Sequence, residues 1–389
     1  MKNSYFLSQP HQPFFALSFI NAILSIFLFA LYSKGILVGK LQVTIFHIYS
    51  IIYMVFTPAF FGFLFTTFPK FSQTEPIERV VYITIFIPFA LGSLFFLIGS
   101  SISQALVSFS IIFILIGHVL GVNILRKIYR RASFIRDKFD ILWILIFMSS
   151  GALSNLIFYI GYIFNNSTLI ESSVRIAIYL YLFMVGFTVA GRMVPLFSNA
   201  KGYRNRAIIK ITAMLLTLHI VLDILTPHLS FVVDFILIYI LGLEILNWQL
   251  PFPNRNPLLW ILHLSLFWIP IALLFSAISN MVSLFWDINF LYLDIHVLML
   301  GFLVTILIGF GTRVTLGHSK SPLSADIWTR ILFFWTQVVV ISRLITSLIF
   351  SFGWDFIFWF DMSVTVWIVL FGLWLYRFFK LLLFGRGDR

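Results

Sequence analysis

Apolar runs of about twenty residues follow one another along the chain, separated by short polar breaks. A helix needs roughly 20 predominantly apolar residues to cross a bilayer. The pattern predicts twelve such spans, at 13–33, 42–68, 80–100, 103–125, 141–164, 173–195, 207–226, 229–250, 258–279, 287–311, 327–350 and 356–382. The fold class that follows is all-α, a polytopic integral membrane protein. The breaks are too short for a separate soluble domain, so 1–389 reads as a single transmembrane domain. The eighth run is the weakest, because Glu244 and Asn247 sit near its end. The first, 14–32, lacks a small-residue cleavage site and is long enough to span, so it reads as a retained helix.

Composition agrees with the pattern. Hydrophobic residues make up 61% of the chain and charged residues 10%, against roughly 25% charged in soluble domains. Too few charges remain to cover a globular surface, so membrane lipid is the first partner. The net charge of +12 would suit nucleic acid, but the basic residues sit between the apolar runs, where topology needs them. Nucleic acid is therefore not an expected partner, and the many Phe, Trp and Tyr read as lipid-facing and interfacial. The absence of cysteine excludes disulfides, iron–sulfur clusters and thiolate metal sites.

The same basic residues set an orientation. Arg126, Lys127, Arg130, Arg131, Arg136 and Lys138 follow span four, and Lys201, Arg204, Arg206 and Lys210 follow span six. Lys320 and Arg330 follow span ten, and Arg377, Lys380, Arg386 and Arg389 lie in the tail. Of the 26 Lys and Arg, only Lys34, Lys40, Arg175 and Arg343 fall on the opposite side. The bias predicts that both termini are cytoplasmic.

A weak echo recurs every four spans. Span two carries Gly62-Phe63 and ends Pro69-Lys70-Phe71-Ser72. Span six carries Gly186-Phe187 and ends Pro195-Leu196-Phe197-Ser198, while span ten carries Gly301-Phe302 and ends Gly317-His318-Ser319. This is compatible with three four-helix units in a pseudo-threefold arrangement.

Ionisable groups inside a bilayer are costly and point to function. Of eight histidines, His228 falls in a loop, and His11, His47, His118, His219, His263, His296 and His318 fall within or beside spans. His296 lies about 25 Å before Arg313 along span ten, and His47 about 33 Å before Pro69 along span two. Two imidazoles at matching depth on parallel helices suit axial ligation of haem iron. His219, with Asp223 one turn later, is a candidate metal ligand with an orienting carboxylate. His11, His263 and His318 form a second candidate metal group at the other membrane side. Arg192 and Arg313, at that level, could clamp an anionic group of a cofactor. For each residue a packing or anchoring role remains open. Gly309-Phe310-Gly311 lacks the spacing and strand–helix setting of a phosphate loop.

Five ordered blocks resemble the NnrS family. They are His11-Gln12-Pro13-Phe14-Phe15, Gly62-Phe63-Leu64-Phe65-Thr66-Thr67-Phe68-Pro69, Gly191-Arg192-Met193-Val194-Pro195-Leu196-Phe197-Ser198-Asn199, Pro257-Leu258-Leu259-Trp260-Ile261-Leu262-His263-Leu264 and Arg313-Val314-Thr315-Leu316-Gly317-His318-Ser319. The resemblance implies a twelve-span protein of the bacterial cytoplasmic membrane that binds haem and copper and acts in tolerance of nitric oxide. It also implies a Trp-His-x-His-Glu signature in span two, which stands here as Phe46-His47-Ile48-Tyr49-Ser50. A second histidine and a glutamate are thus missing, and a family histidine in span five is replaced by Tyr159, which favours haem over copper. The plan is similar to that of haem–copper oxidase core subunits, in which histidines of the second and tenth helices hold one haem. By that analogy His47 and His296 would share a haem. A secondary transporter of a small solute and a quinone-linked electron-transfer subunit are the competing classes.

Overall fold

The computed structural model describes residues 5–132, 135 and 137–386. Arg136 and Arg389, counted above in the charge bias, lie outside the described residues. Each of the twelve predicted spans is a helix: α1 (His11–Ser33), α2 (Val43–Phe71), α3 (Arg79–Ile102), α4 (Gln104–Arg131), α5 (Phe139–Ile163), α6 (Ser167–Phe197), α7 (Ala207–Leu225), α8 (Phe231–Asn247), α9 (Pro257–Trp286), α10 (Leu293–His318), α11 (Ile327–Ser351) and α12 (Ile357–Phe384). Eleven are long and apolar enough to cross a membrane. The exception is α8, whose 17 residues reach about 26 Å, short of a hydrocarbon core of roughly 30 Å.

Helix starts follow local chemistry. Asn166, Asn256 and Asp326 cap α6, α9 and α11 by accepting a hydrogen bond from a first-turn N–H. Pro257 occupies the first position of α9, where its missing N–H costs nothing. The cap at Asn166 starts α6 six residues earlier than hydropathy indicated, because its opening stretch, Ser167–Arg175, is largely polar.

Three helices differ from the rest. In α2, α6 and α10, 83% of the apolar window is buried inside the protein, against one third to one half in the other eight spans. Each also contains one π-helical run, at Ser50–Phe56, Ile176–Phe183 and Leu298–Val304. Among the described residues no other helix has one. A π run widens the helix by one residue per turn and costs backbone hydrogen-bond quality. Two of the runs are closed by a threonine that bonds the carbonyl five residues back, Thr57 to Ile52 at 2.9 Å and Thr305 to Leu300 at 3.1 Å. The runs begin in register with the echo. Ser50 and Ile176 stand equally far before Pro69 and Pro195, and two residues beyond the end of each helix comes a left-handed residue, Gln73, Asn199 or Lys320.

The chain forms two compact units, interleaved in sequence. One comprises Met1–Leu182, Gly311–Pro322 and Phe371–Arg389; its core includes the fully buried Phe14, Phe19, Phe61, Phe89 and Trp374. The other comprises Phe183–Phe310 and Leu323–Leu370, with Phe187 stacked on Trp248 and Phe183 edge-on to Phe302.

Candidate functional site

Three of the sequence blocks meet at one place in the first unit. Gln12 receives the N–H of Gln9 at 2.8 Å and the hydroxyl of Ser8 at 3.2 Å, which ties the polypeptide down where α1 begins. Gly62 lets α2 press against α1, since a Cβ there would lie 2.7 Å from that of Phe14. His11 is thereby held in a buried position, with its ring centre 4.9 Å from that of His318 at the end of α10. His318 Nδ1 donates to the Val314 carbonyl at 3.0 Å, so its Nε2 is the acceptor, and Lys70 Nζ approaches it at 3.3 Å. The Tyr5 hydroxyl donates to the His318 carbonyl at 3.2 Å. Partial burial raises the Tyr5 pKa, and its bond to Gln12 offsets part of the rise. His11 and His318, two of the three histidines grouped from the sequence, are thus side by side. Lys70 joins them, and its ammonium takes the nitrogen a metal would need.

His47 and His296 precede the π runs of α2 and α10 by three and two positions. The His47 ring lies on Phe29, with centres 4.4 Å apart. His296 Nδ1 donates to the Tyr292 carbonyl at 2.7 Å. That bond selects the tautomer whose Nε2 carries the lone pair, which is the form a metal accepts. Arg343 of α11 reaches within 3.3 Å of the same Nδ1.

The other predicted residues have partners of their own. His219 Nδ1 is 2.9 Å from Asp234 of α8, both almost fully buried. Asp234 also accepts from Ser276 of α9 at 2.7 Å. Asp223, the orienting residue expected from helix spacing, accepts from Ser230 at 3.2 Å and from the His228 N–H at 3.1 Å. His263 forms a 2.6 Å bond with Ser198, just beyond α6. Arg192 and Arg313 are half-buried near the C-terminal ends of α6 and α10. His118 bonds the Met148 carbonyl at 3.1 Å and packs edge-on to Phe61.

Sequence reasoning passed over Lys70, Asp234 and Arg343. The signal for the last two was present, a charge inside a span. From the sequence Arg343 reads only as an exception to the charge bias.

Among the described residues no three of His, Asp and Glu gather as a metal cage. At the position of the implied second span-two histidine, Tyr49 is fully buried. Its hydroxyl donates to Asn155 at 3.3 Å and its ring packs on Tyr53 and Phe96. Ser50 donates to the His47 carbonyl at 3.0 Å. These residues do not fit a copper ion.

A family model described as NnrS protein matches residues 5–386, nearly the whole chain. No curated protein matches it.

Proposed function

The chain belongs to the NnrS protein family, and we propose that it is a haem-binding protein of the bacterial cytoplasmic membrane acting in the response to nitric oxide. The transmembrane chain works as one functional domain, with both termini cytoplasmic and nitric oxide or a related small molecule as its ligand. His47 and His296 are the axial-ligand candidates. One observation carries the reading most directly. The Tyr292 carbonyl accepts a hydrogen bond from His296 Nδ1, which selects the tautomer with its lone pair on Nε2. The π runs beside both histidines support it, because such runs are frequent at functional sites. Bound haem would supply the iron centre for nitric oxide, and His47 and His296 would supply its imidazole donors.

Detergent-purified protein should show a haem band with a low-spin ferric spectrum. Either His47→Ala or His296→Ala should abolish that spectrum or convert it to high-spin. A wild-type spectrum in both variants would refute the ligand assignment, and wild-type protein without haem would refute the class. Reporter fusions after Lys138 and after Lys380 should both read cytoplasmic, and an outward signal from either would overturn the orientation.

The buried His219–Asp234 couple favours a second reading, proton-coupled transport of a small solute. It becomes the better one if the purified protein carries no haem.

A further inference from the structure

A line of hydrogen bonds runs from the surface to the buried pair shared by α7 and α8, all within the second unit. His228, in the loop between those helices, is exposed. Its Nδ1 lies 3.0 Å from the Asn280 amide oxygen, an acceptor, so the imidazole donates. Asn280 donates from Nδ2 to the Ser276 hydroxyl at 3.3 Å, and Ser276 donates to Asp234 Oδ2 at 2.7 Å. Asp234 Oδ1 is 2.9 Å from His219 Nδ1. Every donor from His228 onward points toward the carboxylate. Asn280, Ser276, Asp234 and His219 are all buried.

The outer end of the line is held under strain. His228 is left-handed, at φ 70°, which costs a non-glycine residue roughly 1–2 kcal/mol. Asp223 fixes it there by accepting its N–H at 3.1 Å and the Ser230 hydroxyl at 3.2 Å. Strained residues of this kind persist where the surroundings over-determine them, and they cluster at functional sites. Among the described residues no metal cage includes these side chains. Chains of Asp and His inside membrane helices mark proton paths.

We infer that the His219–Asp234 couple is a proton-binding site loaded from the α7–α8 loop, with His228 as the outer acceptor and Asn280 as a gate. A side-chain amide bonds through its oxygen and its N–H groups but does not titrate, so Asn280 bridges the line without passing a proton. The line conducts when that amide turns aside. His228 then takes one proton from water, and Ser276 gives its hydroxyl proton to Asp234 Oδ2. Ser276 is refilled from His228, which returns to neutral. One proton moves inward and no electron moves. The charged groups around the line are few. Asp223 lies beside His228, and Asp287 caps the end of α9. Asp294 and His296 of α10 and Arg343 of α11 stand on helices packed against α9. Lys210, Glu244 and His263 stand toward the opposite ends of α7, α8 and α9, with Arg192 toward the end of α6. The inference stands apart from the haem reading and gives the proton-coupled reading its point of entry.

The test follows proton uptake by full-length protein in detergent after a jump from about pH 8 to about pH 5, the range in which histidine changes charge. The infrared signal of a protonated carboxyl should appear in wild-type protein and be missing in Asp234→Asn. His228→Gln, at an exposed position, should slow that signal roughly tenfold or more, and free imidazole in the buffer should restore the rate by replacing the lost acid–base group. Asn280→Asp puts a titratable group at the gate and should speed the signal by about the same factor. A His228→Gln rate equal to wild type would overturn the inference. So would a slowed rate that imidazole leaves unchanged, because that marks a structural role. A carboxyl signal that persists in Asp234→Asn places the proton elsewhere and overturns it as well. Should Asp234→Asn fail to fold, the rates of the His228 and Asn280 variants decide alone. Protein without haem that still shows this uptake refutes the proposed function and leaves the inference intact.

Discussion

Replacing Asp234 by alanine should destabilise the folded protein by about 3–5 kcal/mol, the penalty for stranding one member of a buried charge pair. His219 and Asp234 are 1% and 0% exposed, with Nδ1 and Oδ1 2.9 Å apart. The substitution also strands Ser276, whose hydroxyl donates to Asp234 at 2.7 Å and accepts from Asn280 at 3.3 Å. Three helices, α7, α8 and α9, thus lose a shared polar anchor within apolar packing. His219→Leu together with Asp234→Leu should recover most of the loss, since apolar residues of similar volume often replace a buried pair at little cost. Thermal unfolding in detergent measures both. An Asp234→Ala midpoint equal to wild type, or a double variant no better than the single, would refute the account.

That pair marks the limit of what one sequence discloses. Helical periodicity places Asp223 one turn from His219 on one face, and nothing in it points to Asp234 on the next helix. A contact between helices depends on their rotation and depth, which hydropathy does not encode. The same holds for Lys70, which reads as an interface anchor until the ends of α2 and α10 are brought together. His11 and His318 were legible because they stand in specific motifs, but the approach of Lys70 to His318 was not.

The helices themselves were legible, because a bilayer demands about twenty apolar residues wherever a chain crosses. So was the recurrence at spans two, six and ten, which the structure matches with high burial and a π run in each of those helices. The runs could not be read in advance. One extra residue in a turn leaves an apolar stretch apolar, and its cause lies in burial on all sides and in hydroxyls such as Thr57 that satisfy the displaced carbonyl. Burial all round also explains why these three helices show no polar face that would betray their orientation.

The eighth helix shows how a polar residue that weakens a sequence reading can secure the fold. Glu244 looked like a defect in a membrane span. It is 3% exposed, and its Oε1 accepts the Trp248 indole N–H at 2.8 Å and the Asn205 N–H at 2.9 Å. The Tyr203 N–H adds a bond to the Asn247 carbonyl at 3.0 Å. Gly202 admits that approach, because a Cβ there would overlap the Asn247 and Trp248 backbone. Glu244 therefore docks the segment after α6 onto the end of α8. Glu244→Leu leaves both N–H donors without this acceptor, at about 1–3 kcal/mol each, so a loss of roughly 2–6 kcal/mol is expected. Glu244→Gln retains an acceptor oxygen and should lose about 1 kcal/mol or less. Limited proteolysis distinguishes docking from a general loss of stability, because cleavage between Lys201 and Arg206 should accelerate in Glu244→Leu well below its melting temperature. Equal cleavage rates in Glu244→Leu and wild type would show that the segment is held without Glu244. Gly202→Ala should produce the same early cleavage by sterics alone, since the atoms it meets are backbone and cannot turn aside.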